Sequence, residues 1–283
     1  MKKLIFTGKF MAYNLDVVIE TPQDDVDMKA GLDTLQGSSD AIRCISESIL
    51  TKQVPERLTH KSKVRTLLKQ SFRGSYGQVF QLEILDDELQ AAFNRIGREA
   101  FSELIAFYLN EAMNVDSRGL SPKAEKIVES LGEVSEALTN QLRKSSVKNI
   151  HEVPIKFNQD VKLRFRKNRD NQTVLARFDQ NTAKFFKAIE GKQQSTLSAI
   201  ISRLNIHTGN GRLQEEGSDH TVPFSFAAEY KVISLKAKKV FSANLDHNNG
   251  LEEKDWAYLK LLVRPINLVD GTLIKYLIEG YYE

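Results

Sequence analysis

Leu15, Val17 and Ile19 alternate with Asp16, Val18 and Glu20. A two-residue period puts one set on each face of a strand. The whole stretch from Lys3 to Ile19 reads as extended, with a hairpin turn at Gly8 or at Tyr13-Asn14. Asp27 then stands as an N-cap before Leu32, Leu35, Ile42, Ile45 and Ile49, which keep helical spacing with a soft spot at Gly37-Ser38-Ser39. Phe80, Leu82 and Ile84 alternate with Gln81 and Glu83, so 63–84 is extended again. Asp86-Asp87-Glu88 suits the positive end of a long helix reaching Met113. Ser121-Pro122 opens the next, which carries Val128, Leu131, Leu138 and Leu142. The two form a long helical hairpin. Strand patterns follow at 153–157, 161–166 and 173–178. Phe185, Phe186 and Ile189 sit on a short helix before the last module.

That module shows strand patterns at 195–204, 212–215 and 220–226, a helix at about 230–243, and strands at 256–264 and 273–281. Three strands, a helix and two strands is the order of an OB-fold. The run Ala199-Ile200-Ile201-Ser202-Arg203-Leu204, then His207-Thr208-Gly209-Asn210-Gly211-Arg212-Leu213, resembles the opening of OB-type and Sm-like barrels. The chain as a whole loosely resembles uncharacterised bacterial proteins that join a mixed N-terminal part to such a barrel. No activity comes with that resemblance. The expected fold class is α+β: a mixed sheet with helices and a long helical hairpin, then a small five-stranded OB-like or SH3-like barrel. The expected segments are 1–145, a basic strand and connecting helix at 146–192, and the barrel at 193–283.

Composition narrows the function classes more than it names one. The 283 residues carry a net charge of +3, which does not by itself demand a polyanion partner. A single cysteine, Cys44, forbids an internal disulfide and a thiolate-rich zinc site, and its apolar neighbours make it a small buried hydrophobe. No apolar run reaches the length of a membrane span, and the N-terminal run breaks at Gly8-Lys9. Cytoplasm is the expected location, with no membrane partner and no cofactor.

The candidate chemistry is cationic. Lys162, Arg164, Arg166, Lys167 and Arg169 fall within eight residues, with Val161, Leu163 and Phe165 on the opposite face. With Arg203 and Arg212 they form a candidate polyanion site, since cations that neutralise phosphates release counterions. The same row also suits a solvated edge that discourages strand pairing. Lys231, Lys236, Lys238 and Lys239 are spread around a helix. Phe224 and Tyr230 are candidates for base stacking as well as for the core. The loop Ser71-Phe72-Arg73-Gly74-Ser75-Tyr76-Gly77 lacks the lysine of a phosphate loop and suits a bulge or sharp twist. His60, His151, His207, His220 and His247 make no metal-ligand spacing. Adjacent carboxylates such as Asp86-Asp87, Glu215-Glu216 and Glu252-Glu253 point apart.

The leading expectation is therefore a non-enzymatic binding or assembly protein whose barrel and basic strand contact nucleic acid or a nucleotide. One alternative is an oligomerising component of a bacterial phage-defence or toxin system, with the helical hairpin as its interface to a protein partner. The other is an enzyme without a recognisable motif.

Overall fold

The computed structural model describes residues 13–282, apart from 23–24, 73–74, 118, 169, 188, 192 and 269–270. Expectations for residues 3–12 and for Arg169 lie outside the described residues.

The first sheet is antiparallel, in the order β2-β3-β1-β4-β5. Its strands are β1 (Tyr13–Ile19), β2 (Val64–Phe72), β3 (Tyr76–Ile84), β4 (Val161–Arg166) and β5 (Gln172–Phe178). Its helices are α1 (Met28–Thr51), α2 (Asp87–Ile96), α3 (Arg98–Ala112), α4 (Pro122–Leu131), α5 (Glu133–Lys144), α6 (Ser146–Ile150), α7 (Glu152–Phe157) and α8 (Gln180–Ala183). Tyr13, Leu15, Val17 and Ile19 project into the core shared with the helices. Tyr13 lies edge-on to Phe93 and Phe101 at 5.7 and 5.5 Å, and stacks on Phe165 at 4.8 Å. Each such aromatic pair adds about 0.5–1.5 kcal/mol beyond its buried area.

Four expectations are corrected here. The helix that begins at Asp87 breaks at Gly97 (φ +82°), and the one that begins at Pro122 breaks at Gly132 (φ +52°). Both backbones stand where side-chain-bearing residues rarely go. The hairpin is thus built from α2–α5. Residues 153–157, expected as a strand, are helical. Alternating apolar residues over five positions do not separate a strand from a short buried helix. The soft spot at Gly37 is continuous helix, and a Cβ there would stand 2.6 Å from the Ser146 carbonyl oxygen. Glycine lets α1 and α6 pack backbone to backbone. Lastly, 146–192 is not a separate segment, because β4 and β5 complete the first sheet beside β1.

The second sheet contains β6 (Ile189–Glu190), β7 (Ser195–Leu204), β8 (Gly211–Glu215), β9 (Thr221–Phe226), β10 (Leu259–Asn267) and β11 (Leu273–Tyr282). α9 (Leu235–Asn248) lies between β9 and β10. β7, β8 and β9 form an antiparallel meander. β10 pairs with both β7 and β11, and β11 pairs parallel with β9. That closes five strands into the OB arrangement, with β6 added beside β10. Phe224 and Phe241 fill the barrel core with Leu213, Leu261 and Val263. No helix among the described residues is long and apolar enough to cross a membrane.

His151 is fully buried at the junction of α6 and α7. Its Nδ1 stands 2.7 Å from the Val147 carbonyl, and its Nε2 stands 2.9 Å from Thr182 Oγ1. A carbonyl only accepts, so Nδ1 carries the proton and the Thr182 hydroxyl donates to Nε2. Burial pulls the imidazole from 6.5 down to about 4. The unfolded chain therefore takes up this proton first. Its contribution is fully present above pH 6.5, is lost as pH falls through that window, and levels off below 4. Urea unfolding of the native chain and of His151→Gln should differ in pH dependence by about 2–3 kcal/mol between pH 7 and 4.5. Parallel curves would show that the ring does not titrate in this window.

Candidate functional site

The basic strand has the predicted alternation: Val161, Leu163 and Phe165 are buried and Lys162, Arg164 and Arg166 take the other face. That face is not a row of cations directed only at solvent. Asp16 of β1, fully buried, lies opposite Arg164 in the ladder. Arg164 donates to both Asp16 oxygens, from Nε at 2.6 Å and Nη2 at 3.1 Å. Arg166 Nη1 donates to Oδ2 at 2.6 Å. The Phe72 ring lies 5.8 and 5.4 Å from the two guanidinium carbons. Gly77 leaves room for it, since a Cβ there would stand 2.3 Å from the ring. This accounts for one glycine of the motif-like loop without a phosphate. Lys162 pairs with Glu20, and Lys167 pairs with Glu99 at 3.2 Å.

The barrel arginines are engaged too. Arg212 donates to the Thr221 hydroxyl and carbonyl, both at 2.8 Å. Arg203 reaches across to α3, pairing with Glu111, and bonds Asp116 at 2.5 Å. Glu111 is fully buried and also accepts from Thr208 Oγ1 at 3.1 Å and Asn210 Nδ2 at 3.4 Å. The β7–β8 loop, one of the loops that OB barrels commonly turn toward ligands, is thus fastened to α3. Gly209 (φ +71°) lets that loop pass over Tyr230, whose ring a Cβ would meet at 2.4 Å. Phe224 and Tyr230 are buried, which removes them as open stacking surfaces.

A spacious cleft lies elsewhere, between α3 and β5. It encloses about 670 Å³. One wall is five consecutive residues of β5, Thr173 to Arg177, and the other is α3 with Ser102, Ala106, Phe107 and Asn110. The loop after α3 forms a rim with Val115, Asp116 and Leu120. Among the described residues no strand pairs with the outer edge of β5. A bulge opposite Leu163 and Arg164 leaves Leu175 without a ladder partner on β4. Its carbonyl accepts from Asn110 Nδ2 at 3.4 Å.

Thr182 joins the cleft lining and touches His151, the one hydroxyl–imidazole pair we find there among the described residues. The pair is poorly suited to catalysis. An imidazole held near 4 is a weak base at neutral pH, and a backbone carbonyl rather than a carboxylate orients it. Thr182 Oγ1 also accepts the Asp179 backbone N–H in a capping box. Cys44, a further nucleophile by type, is buried, and burial pushes its thiol up to about 12.

Sequence reasoning missed Asp16, Glu111 and the cleft. Asp16 read as one polar position of an alternating strand and Glu111 as one acid on a helix. Only the partners, nearly 150 and about 92 residues away, distinguish them. Comparison of the chain with known protein families, with curated proteins and with solved structures found no match.

Proposed function

We propose that this chain is a non-enzymatic binding or assembly protein and that its protein partner seats in the cleft between α3 and β5. One observation carries the reading: a concavity of about 670 Å³, its walls mixing apolar with polar side chains, runs along an edge strand. Ligand seats tend to be concavities of this size and composition. The basic strand supports it less, because its described cations are held by Asp16, Glu20 and Glu99. A displayed library of random peptides, selected on the full chain, tests the proposal. Selected peptides should lose at least tenfold in affinity against an Ala106→Trp variant that fills the cleft and retains the native melting temperature. Binders indifferent to that change would overturn it.

A second reading keeps nucleic acid as a ligand of the barrel. Lys260 and Tyr282 face each other across β10 and β11, with the ammonium 5.7 Å from the ring centre. Both are exposed, and Tyr258 precedes Lys260 by two residues on the same strand approach. Aromatic faces beside a cation form a stacking platform for single strands. An oligothymidylate should then bind with an affinity that falls steeply with salt, and Tyr282→Ala should weaken it several-fold. No retention at low salt would remove this reading.

A further inference from the structure

Resting on the reading of the cleft as the partner's seat, we infer that the occupant is an extended, cationic peptide segment that pairs with the outer edge of β5 as a sixth strand. Three observations converge on it. The first is the shape of the wall. The cleft follows Thr173 to Arg177 residue by residue. At about 3.3 Å per residue that wall is about 17 Å long, the reach of a short strand and not of a helix docked end-on.

The second is backbone valence. β5 ends the sheet, so its outer row of N–H and C=O groups has no strand partner among the described residues. Such a row is a template for strand addition, where main-chain hydrogen bonds supply affinity and alternate side chains supply specificity. Asn110 marks the place. Its side-chain amide donates to the Leu175 carbonyl at 3.4 Å, a long bond that an incoming backbone N–H would improve on. Thr173 and Val174 beside it are exposed.

The third is charge. Among the described residues the lining carries four carboxylates (Glu99, Glu103, Asp116 and Asp179) and two cations (Lys167 and Arg177). Glu99 is paired with Lys167 and Asp116 with Arg203, yet both stay about two-thirds exposed, at 68% and 66%, and can take a second cation from the solvent side. A net-acidic lining that also carries Phe107, Val115 and Leu120 fits a segment that alternates apolar residues with Lys or Arg.

The test uses the full chain and synthetic six-residue peptides of alternating Val and Lys, read by calorimetry, with hydrogen exchange on the amides of β5. Binding should slow exchange along 173–177. Methylating alternate peptide nitrogens should lower affinity at least tenfold for one parity and little for the other. Replacing Lys by Glu should abolish binding, and Asn110→Ala should leave it equal or tighter. A peptide that binds and is lost in Ala106→Trp, but shows no methylation parity, overturns strand addition while leaving the cleft as the seat. Binding untouched by Ala106→Trp overturns both. The chain's own first twelve residues contain Lys2, Lys3 and Lys9. If the peptide binds only after those residues are deleted, the occupant is this segment and not a separate partner.

Discussion

Replacing Asp16 with alanine is expected to lower the unfolding free energy by about 3–5 kcal/mol. The carboxylate is fully buried and takes three hydrogen bonds from Arg164 and Arg166. Without it, two guanidiniums remain side by side, with side chains only 21% and 16% exposed, so water cannot fully replace the lost partner. The cost is that of an uncompensated buried charge, not the net worth of the ion pair. The triple variant Asp16→Ala, Arg164→Met, Arg166→Met should therefore recover most of the loss, because it removes the two guanidiniums that the single variant strands. Urea unfolding of the single and triple variants measures both. A single variant within 1 kcal/mol of the native chain would show that the cluster is solvated and that its arginines are available to a ligand after all.

Replacing Glu111 with alanine should cost about 3 kcal/mol and, more tellingly, separate one melting transition into two. Glu111 gathers Arg203, Thr208 and Asn210 of the barrel onto α3. The barrel has its own core around Phe224 and Phe241, so losing this contact leaves it folded but undocked. Arg203→Ala should cost a similar amount, since it strips the buried carboxylate of its paired cation and leaves only the neutral donors Thr208 and Asn210. A double-mutant cycle on Glu111 and Arg203 should return a coupling above 1 kcal/mol. A single sharp transition in Glu111→Ala, with no coupling in the cycle, would place the docking energy elsewhere, for example in the bond from the Tyr230 N–H to Glu136 at 2.7 Å.

Strand and helix positions were largely legible because local periodicity carries them. Element order pointed to a small OB-like or SH3-like barrel, and the parallel β9–β11 pairing gives it the OB arrangement. What failed was non-local. Gly97 and Gly132 lie in apolar runs whose period continues through them, so nothing local announces a positive φ. The alternation of β4 was legible, but the availability of its cations was not, because Asp16 and Glu20 lie 142 or more residues earlier. The cleft has no sequence signature. It exists because β5 ends the sheet and α3 stands off from it, and both depend on topology.

The grip of Arg203 on Asp116 joins the barrel to the cleft. Asp116 belongs to the cleft rim, and Arg203 belongs to the barrel. Thermodynamic linkage is reciprocal. If a ligand's affinity depends on where the rim stands, its binding must change the docking constant of the barrel by the same factor. A variant that loosens the barrel must then retune the cleft without touching it. A barrel fastened by a residue that also borders the cleft makes one equilibrium with two readouts.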